Sequence, residues 1–267
     1  MTVRGTTRIC QIIGHPVAQV RSPELFNREL ERAGADAVLI PVDVSPEQVR
    51  AFVALQRGWH NSSGFVVTIP HKRAVVEHLD ELTERAKRLQ AVNVVRRGSD
   101  GKLTGDMVDG LGFMAAAAKN GFAPRGRSAL VIGTGGAGSA IVDALCDAGI
   151  ARIAIRDVAP GRVAWMRDVF GAAFPAVEIG EAGDDLGGFD LVVNASPVGM
   201  GDTGELPVPE TLLDTLRPDT LVADAITKPP MTPFLLAAQA RGCRVQTGPE
   251  MAAGQITILG RFMGVFD

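Results

Sequence analysis

Short apolar runs alternate with longer amphipathic segments along most of the chain, a pattern typical of parallel βαβ units. The apolar runs predict strands at 8–13, 37–42, 64–69, 91–95, 128–133, 152–155, 191–194, 221–224 and 244–247. Helical patterning predicts helices at 22–33, from Ser45 onward, at 72–86, in the alanine-rich stretch after Gly105, at 135–149 and at 254–263. The first helix is expected to have Ser22 as N-cap and Pro23 at its first position.

The chain has 267 residues, longer than one compact core usually fills, so two domains, or one large one, are expected from length alone. The pattern predicts an α/β fold in which an N-terminal domain, residues 1–109 and 246–267, is joined to a Rossmann-type doubly wound domain at 110–245. The N-terminal domain also carries polar residues beside its apolar runs, so we expect it to be the substrate and catalytic domain. The Gly/Pro-containing segment 123–127 is interpreted as a linker. The C-terminal helix is expected to return to the first domain.

The charge and composition of the chain limit the kinds of partner that it is expected to bind. The net charge is −3, with 27 basic and 30 acidic side chains mixed along the chain, which argues against nucleic acid as a partner. No apolar run is long enough for a membrane span, so we expect a cytoplasmic protein without a membrane partner, as a monomer or homodimer. Three widely spaced cysteines are interpreted as reduced, partly buried thiols, and no metal site is predicted.

A glycine cluster lies where an apolar strand gives way to a helix, and it predicts a dinucleotide site. Glycine permits positive φ and lets backbone N–H groups approach a pyrophosphate at the positive end of a helix. The cluster follows the apolar run 129–132 and consists of Gly133, Gly135, Gly136 and Gly138.

The end of the following strand carries Asp157. An acidic side chain there accepts hydrogen bonds from ribose hydroxyls and repels a 2′-phosphate, so NAD is expected to be preferred, with NADP possible. The alternative is that Asp157 is a solvated turn residue and Arg156 holds the phosphate. The loop that begins with Asn194 and contains Ser196 follows a further strand, where this fold places ligand contacts.

Three segments of the first half place polar residues beside apolar runs: 67–72, 91–93 and 105–110. They supply Lys72 and Asp109, which together could act as a proton-transfer pair, because a lysine ammonium can polarise a carbonyl or return a proton to an alkoxide. Taken singly, either residue is more often a solvated surface charge.

With these motifs in order, the chain resembles the shikimate dehydrogenase family along nearly its whole length. The matching segments are 14–17, 22–23, 70–72, 91–93, 105–106, 109–110, 133–137, 194–196 and 232–235, followed by Gly248, Met251 and Gln255. The resemblance implies hydride transfer between a nicotinamide and a hydroxyl or ketone on an alicyclic hydroxy acid such as shikimate or quinate.

The resemblance also implies roles for residues. Lys72 and Asp109 would be catalytic, Asn93 would hold ring hydroxyls, and Ser22 would bind the substrate carboxylate. Further residues would line the substrate pocket or contact the cofactor: Thr68 and Gln255 in the pocket, and Gly133, Gly135, Gly136, Ala137, Asp157, Asn194, Ser196 and Gly248 at the cofactor.

Several positions depart from the family pattern. The first serine of the usual Ser-x-Ser is Val20, so one carboxylate-binding hydroxyl is lost; Arg21 either replaces it with a charge-assisted bond or points to solvent. Two usual tyrosines are replaced by Ala223 and Thr227, and polar residues near the site are replaced by Val66, Met107 and Val108. The usual phosphate-gripping Asn-Arg-Thr is 157–159, Asp-Val-Ala, which again favours NAD.

Two alternatives remain open at this point. One is a regulatory or ligand-sensing protein that binds pathway intermediates without turnover, which Val20 and Thr227 keep possible. The other is a different dehydrogenase on the same scaffold, because a fold alone does not fix a function.

Overall fold

A computed structural model describes residues 2–18, 20–201 and 203–266 of the chain. It confirms the α/β class, with two six-stranded sheets. The chain divides into two compact units: one comprises residues up to Val108 together with those from Gln255 onward, and the other comprises Asp109–Gly254.

The sheet of the first unit is mixed. Its strand order is β2-β1-β3-β5-β6-β4, in which β1 pairs parallel with β2 and β3, while β5 is antiparallel to both β3 and β6. The strands are β1 (Arg8–Gly14), β2 (Ala37–Asp43), β3 (Ser62–Val67), β4 (Glu81–Leu82), β5 (Val94–Arg97) and β6 (Leu103–Asp106). The helices are α1 (Ser22–Arg32), α2 (Val49–Gly58) and α3 (Glu84–Leu89).

The strands of this unit form because their apolar residues are covered on both faces. All six residues of β3 are buried, as are the last five of β1, which is typical of parallel-type strands under helices. Phe65 packs with Val53 of α2 and Val95 of β5 in one core cluster. Helix α1 buries Phe26 and Leu30 and exposes its charged face.

The helix predicted at 72–86 is wrong. Turns and a short 3₁₀ helix, Val76–His78, are followed by β4 and then by α3. Asp80 explains the difference, because its backbone amide donates to Leu103 O and its carboxylate accepts from the Leu103 amide at 2.8 Å. The backbone here pairs with β6, and Thr83 then caps α3 by accepting a hydrogen bond from the Ala86 amide.

Three predicted boundaries also need correction. Helix α1 begins at Ser22 itself and Arg21 is its N-cap, without a side-chain cap bond. Strand β5 begins at Val94, so the residues before it form a loop. The last helix, α9 (Gly248–Phe262), begins earlier than predicted, since Glu250 accepts from both the amide and the hydroxyl of Thr247 and so stabilises an additional N-terminal turn.

The sheet of the second unit is wholly parallel, with the order β12-β11-β10-β7-β8-β9. This is the Rossmann arrangement, in which the order reverses between β10 and β7. The strands are β7 (Ser128–Ile132), β8 (Arg152–Arg156), β9 (Glu178–Glu181), β10 (Leu191–Asn194), β11 (Leu221–Asp224) and β12 (Arg244–Gln246). The helices before α9 are α4 (Asp109–Lys119), α5 (Gly136–Asp147), α6 (Arg162–Ala173), α7 (Glu210–Leu213) and α8 (Pro233–Ala240).

Two features of this unit differ from expectation. Segment 123–127 is part of the compact unit, because the Gly126 amide donates to Gly149 O and the Ala151 amide donates to Arg127 O. Strand β9 was not predicted, since its sequence EIGE has a single large apolar residue, Ile179. Within the described ranges, no helix is both long and apolar enough to cross a membrane.

Candidate active site

One edge of the first sheet gathers several predicted residues. The Val67 amide at the end of β3 donates to Asn93 O at 2.8 Å, and the Asn93 amide donates to Asp106 O at 2.9 Å. Because β5 is antiparallel to its neighbours, its start lies beside the ends of β3 and β6. Thr68, directly after β3, therefore lies at the same edge as Asn93.

Lys72 belongs to this edge as well. Its carbonyl accepts a 2.8 Å hydrogen bond from the amide of Val92, the residue before Asn93. The Lys72 side chain is half-buried. The turns that replace the predicted helix after Pro70 thus hold the backbone of Lys72 against the loop that carries Asn93.

The buried carboxylate of Asp106 stabilises the end of β6, next to the loop that carries Asn93. Asp106, 4% exposed, accepts hydrogen bonds from the Thr83 hydroxyl at 2.5 Å and from the Met107 amide at 2.7 Å. Arg85 adds a 3.2 Å ion pair. Sequence reasoning missed Thr83 and Arg85; the signal was the Thr-Glu-Arg start of a short helix, which lay inside the helix wrongly predicted at 72–86.

The other predicted substrate residues are placed as follows. Ser22 is the first residue of α1 and is half-buried, whereas Arg21 is exposed. Gln255 is half-buried in α9. Asp109 is buried at the start of α4 and belongs to the second unit.

A hydrogen-bonded pair that the sequence did not reveal lies at the same edge of the first sheet. His15 Nδ1 and Asp43 Oδ1 are 2.7 Å apart. His15 directly follows β1, and Asp43 is the last residue of its parallel neighbour β2. The hydrogen bond to His15 is the main cause that lowers the pKa of Asp43. Only the parallel pairing of β1 with β2 brings these residues together.

The glycine turn of the second unit is shaped as a cradle for a phosphate group. Gly133 has φ of 83°, and a Cβ on Gly138 would lie 2.0 Å from Gly133 O, so no larger residue fits that approach. Gly135 and Gly136 are exposed, and a Cβ there would meet nothing within 4 Å. They lie at the N-terminus of α5, beside half-buried Ala137, and the N-terminus of a helix favours a bound anion.

Asp157 stands beside this turn. Its Oδ2 accepts hydrogen bonds from the amide and the hydroxyl of Thr134, at 2.7 and 2.5 Å, and its Oδ1 accepts from the Ala159 amide at 2.9 Å. Burial alone would raise the pKa of Asp157, but these hydrogen bonds and the nearby Arg162 hold that pKa below its usual value. The side chain is therefore an ionised acceptor.

Two arginines lie near Asp157, and they bind different partners. Arg156 donates to Gly183 O at 2.8 Å and pairs with Asp184 at 2.9 Å, which directs it toward the loop after β9. Arg162, which the sequence reasoning missed, donates to Thr134 O and to the Ser139 hydroxyl and stacks over Trp165. A positive group therefore lies at the glycine turn, but it is Arg162.

The loop after β10 packs against the glycine turn. A Cβ on Gly133 would lie 2.8 Å from the Ser196 amide nitrogen, so the loop and the turn touch through their backbones. The Asn194 side chain is buried and bonded within the protein, whereas Ser196 is half-buried. Gly248 begins α9, and a Cβ there would lie 2.1 Å from Ile226 O.

Sequence comparison identifies the relatives of the chain. A family model described as the shikimate dehydrogenase substrate binding domain matches residues 12–95. The shikimate dehydrogenase (NADP(+)) of Rubrobacter xylanophilus is 38% identical over 93% of this chain and 88% of that protein. The shikimate dehydrogenase (NADP(+)) of Geobacter metallireducens is 39% identical over 96% of this chain and 90% of that protein.

Solved structures are similar over almost the whole chain. The 5-ketofructose reductase of a Gluconobacter species has a TM-score of 0.90 and 31% identity, covering 97% of this chain and 93% of that one. Shikimate 5-dehydrogenase from Thermus thermophilus, in complex with NADP(H) and shikimate, has a TM-score of 0.86, 31% identity and coverages of 97% and 94%. Quinate dehydrogenase from Corynebacterium glutamicum, in complex with NAD, has a TM-score of 0.84, 27% identity and coverages of 97% and 94%.

Proposed function

The chain belongs to the shikimate dehydrogenase family, and we propose that it is an NAD(P)-dependent oxidoreductase that interconverts a hydroxyl and a ketone on an alicyclic hydroxy acid of the shikimate or quinate type. The observation that carries this proposal is the edge of the first sheet where Lys72 O accepts from the Val92 amide, next to Asn93, and Asn93 O accepts from the Val67 amide, next to Thr68. The alternative of a regulatory protein without turnover is not favoured, because the relatives are named as enzymes.

In the proposed reaction, the chain binds and orients the substrate and moves one proton. Asn93 holds ring hydroxyls, Thr68 and Gln255 line the pocket, and Ser22 binds the substrate carboxylate. Lys72 accepts the hydroxyl proton as the alcohol is oxidised and returns it to the oxygen when the ketone is reduced. Asp109 is the second catalytic residue of this proposal. A bound nicotinamide dinucleotide takes up or supplies the hydride.

The second unit supports a dinucleotide as cofactor. The exposed glycines Gly135 and Gly136, at the N-terminus of α5, suit a pyrophosphate. We propose that Gly133, Ala137, Ser196 and Gly248 line the same site, that the first unit binds the hydroxy acid, and that the protein acts in the cytoplasm as a monomer or homodimer.

Within this proposal, NAD is the preferred cofactor. The ionised Asp157 repels a 2′-phosphate and accepts from ribose hydroxyls, and Arg156 is engaged with Asp184. Two facts weigh in the other direction: several relatives carry NADP(+) in their names, and Arg162 lies beside the glycine turn. The charge of Asp157 decides the preference, because Arg162 already donates to Thr134 and Ser139.

A second candidate substrate class is a neutral keto sugar. The Gluconobacter structure that matches with a TM-score of 0.90 is a 5-ketofructose reductase, and Val20 provides no hydroxyl for a substrate carboxylate. An activity panel separates the two classes: shikimate and quinate for oxidation, and 3-dehydroshikimate and 5-ketofructose for reduction, each with both dinucleotides. Turnover of the keto sugar alone would reject the hydroxy-acid proposal.

The mechanistic part is tested by Lys72→Ala. Loss of a group that transfers a proton at the reacting oxygen should lower kcat by about 10²- to 10⁴-fold. Lys102→Ala is the matched control, because Lys102 is 62% exposed and lies 4.0 Å from its nearest carboxylates, and it should retain the activity of the parent. Equal activity of the parent and the Lys72 variant would contradict the assignment.

A further inference from the structure

Asp224, at the carboxyl end of β11, is a fully buried carboxylate that joins three segments of the second unit. Its Oδ2 accepts hydrogen bonds from Asn194 Nδ2 at 3.1 Å and from the Thr232 hydroxyl at 2.8 Å. Its Oδ1 accepts from the Ile226 amide at 2.9 Å. The donors belong to the end of β10, to the turn after β11 and to the N-cap of α8.

The Asn194 side chain, which is bonded to Asp224, also forms hydrogen bonds within its own loop. Its Nδ2 also donates to Val198 O at 3.1 Å, and its Oδ1 accepts from the Ser196 amide and hydroxyl, at 3.1 and 2.7 Å. Both amide protons and the carbonyl oxygen are directed at protein atoms, and the residue is 0% exposed. Its side chain therefore shapes the loop, and the surface of the loop is formed by its neighbours.

Of the two segments held by Asp224, one contacts the glycine turn and the other contacts Gly248 at the start of α9. A Cβ on Gly133 would lie 2.8 Å from the Ser196 amide nitrogen, and a Cβ on Gly138 would lie 3.2 Å from Ala195 Cβ. On the other side, Ile226 O approaches Gly248 so closely that a Cβ there would lie 2.1 Å away. Such close contacts leave no space for movement. A shift of the loop at 194–198 would therefore displace the glycine turn, and a shift of Ile226 would displace the start of α9.

We propose that Asp224 is a positioning residue for dinucleotide binding, which acts through Asn194 on the loop at 194–198 and through the Ile226 amide on the segment beside Gly248. This inference rests on the proposed function, since it assumes that the glycine turn binds a dinucleotide. Asp224 itself is buried and does not touch the ligand.

Two conservative variants test it. In Asp224→Asn the carboxamide has one acceptor oxygen, which cannot serve both the Ile226 amide and the Asn194 and Thr232 donors. In Thr232→Val one of those donors is lost while the side-chain volume is kept, and the bond that the hydroxyl accepts from the Leu235 amide is lost as well. Each change should weaken binding of NAD or NADP, measured by isothermal titration calorimetry, by about tenfold, because the loop at 194–198 and the segment beside Gly248 are no longer held in place.

The controls separate positioning from general destabilisation. Thr220→Val removes a buried hydroxyl that donates to Phe189 O at the opposite end of β11; it should lower Tm but leave dinucleotide affinity unchanged. Thr232→Ser keeps the hydroxyl and should restore affinity to within about twofold of the parent. Unchanged affinity in both test variants, or an equal loss in Thr220→Val, would overturn the inference. If the parent itself bound neither dinucleotide, the proposed function would fail first.

Discussion

The side-chain carbonyl oxygen of Asn93 accepts a 2.8 Å hydrogen bond from the backbone amide of Val108. This bond joins the residue before β5 to the residue that follows Met107 in the turn after β6, and it fixes the carboxamide in one orientation. Asn93 is 2% exposed, so the Val108 amide is shielded from water and depends on this acceptor.

Asn93→Ala should therefore lower both stability and activity. Removing the acceptor leaves a buried N–H group unsatisfied, which costs about 1–3 kcal/mol in the free energy of unfolding. Urea unfolding gives this quantity. Asn61→Ala is the control, because Asn61 is exposed and its side chain makes a long 3.4 Å bond; its effect should stay within about 0.5 kcal/mol. Equal stabilities of the two variants would refute the role given to the Asn93 carbonyl.

Asp157→Ser should shift the cofactor preference toward NADP. The change removes the negative charge that repels a 2′-phosphate while Arg162 stays beside the glycine turn, so the NADP to NAD ratio of kcat/KM should rise at least about tenfold. Arg156→Ala should leave that ratio unchanged, because Arg156 is paired with Asp184. A larger shift in the Arg156 variant would mean that the wrong side chain has been assigned to the preference.

Gly138→Ala should disrupt the cradle. The added methyl would lie 2.0 Å from Gly133 O, so the turn must move, which costs about 1–3 kcal/mol of stability and weakens dinucleotide binding. Gly171→Ala is the matched control in α6, where a Cβ would meet nothing within 4 Å, and it should stabilise the protein by about 0.4–1 kcal/mol. Thermal melts with and without NAD measure both effects. Normal binding by the Gly138 variant would show that the tight approach is dispensable.

Asp190 should contribute stability that depends on pH. Burial would raise its pKa, but hydrogen bonds from the amide and hydroxyl of Ser128 and the charge of Arg127 lower it overall. A carboxyl group whose folded-state pKa is depressed stabilises the fold above its unfolded pKa of about 3.9, and this contribution is lost as the pH falls through the folded value. Asp190→Asn should thus be less stable than the parent at pH 7, with a difference that shrinks below about pH 4.

Melting temperatures at pH 7, 5 and 3 measure this difference. Asp184→Asn is the control, since Asp184 is 86% exposed and an exposed pair contributes little. A gap between the parent and the Asp190 variant that stays constant with pH would contradict the lowered pKa of Asp190.

Much of the second unit could be predicted from the sequence because its signals are local. The apolar strand β7, the glycines after it and the helix that follows are neighbours in the chain, and Asp157 comes directly after the next strand, β8. Strand β9 was missed for the same reason, since its short sequence lacks the local apolar pattern. The segment 72–86 was wrongly predicted as a helix because part of it, β4, pairs with β6, which is distant in sequence.

Residue types at short spacing were enough to establish the α/β class, the glycine turn and the family resemblance, because none of these depends on which distant segments meet. The membership of each hydrogen-bonded network, in contrast, followed from the folded arrangement alone. Asp224 lies far along the chain from Asn194, yet adjacent parallel strands bring them within 3.1 Å. A sequence shows polar residues one by one, but the register of the strands determines which donors and acceptors meet.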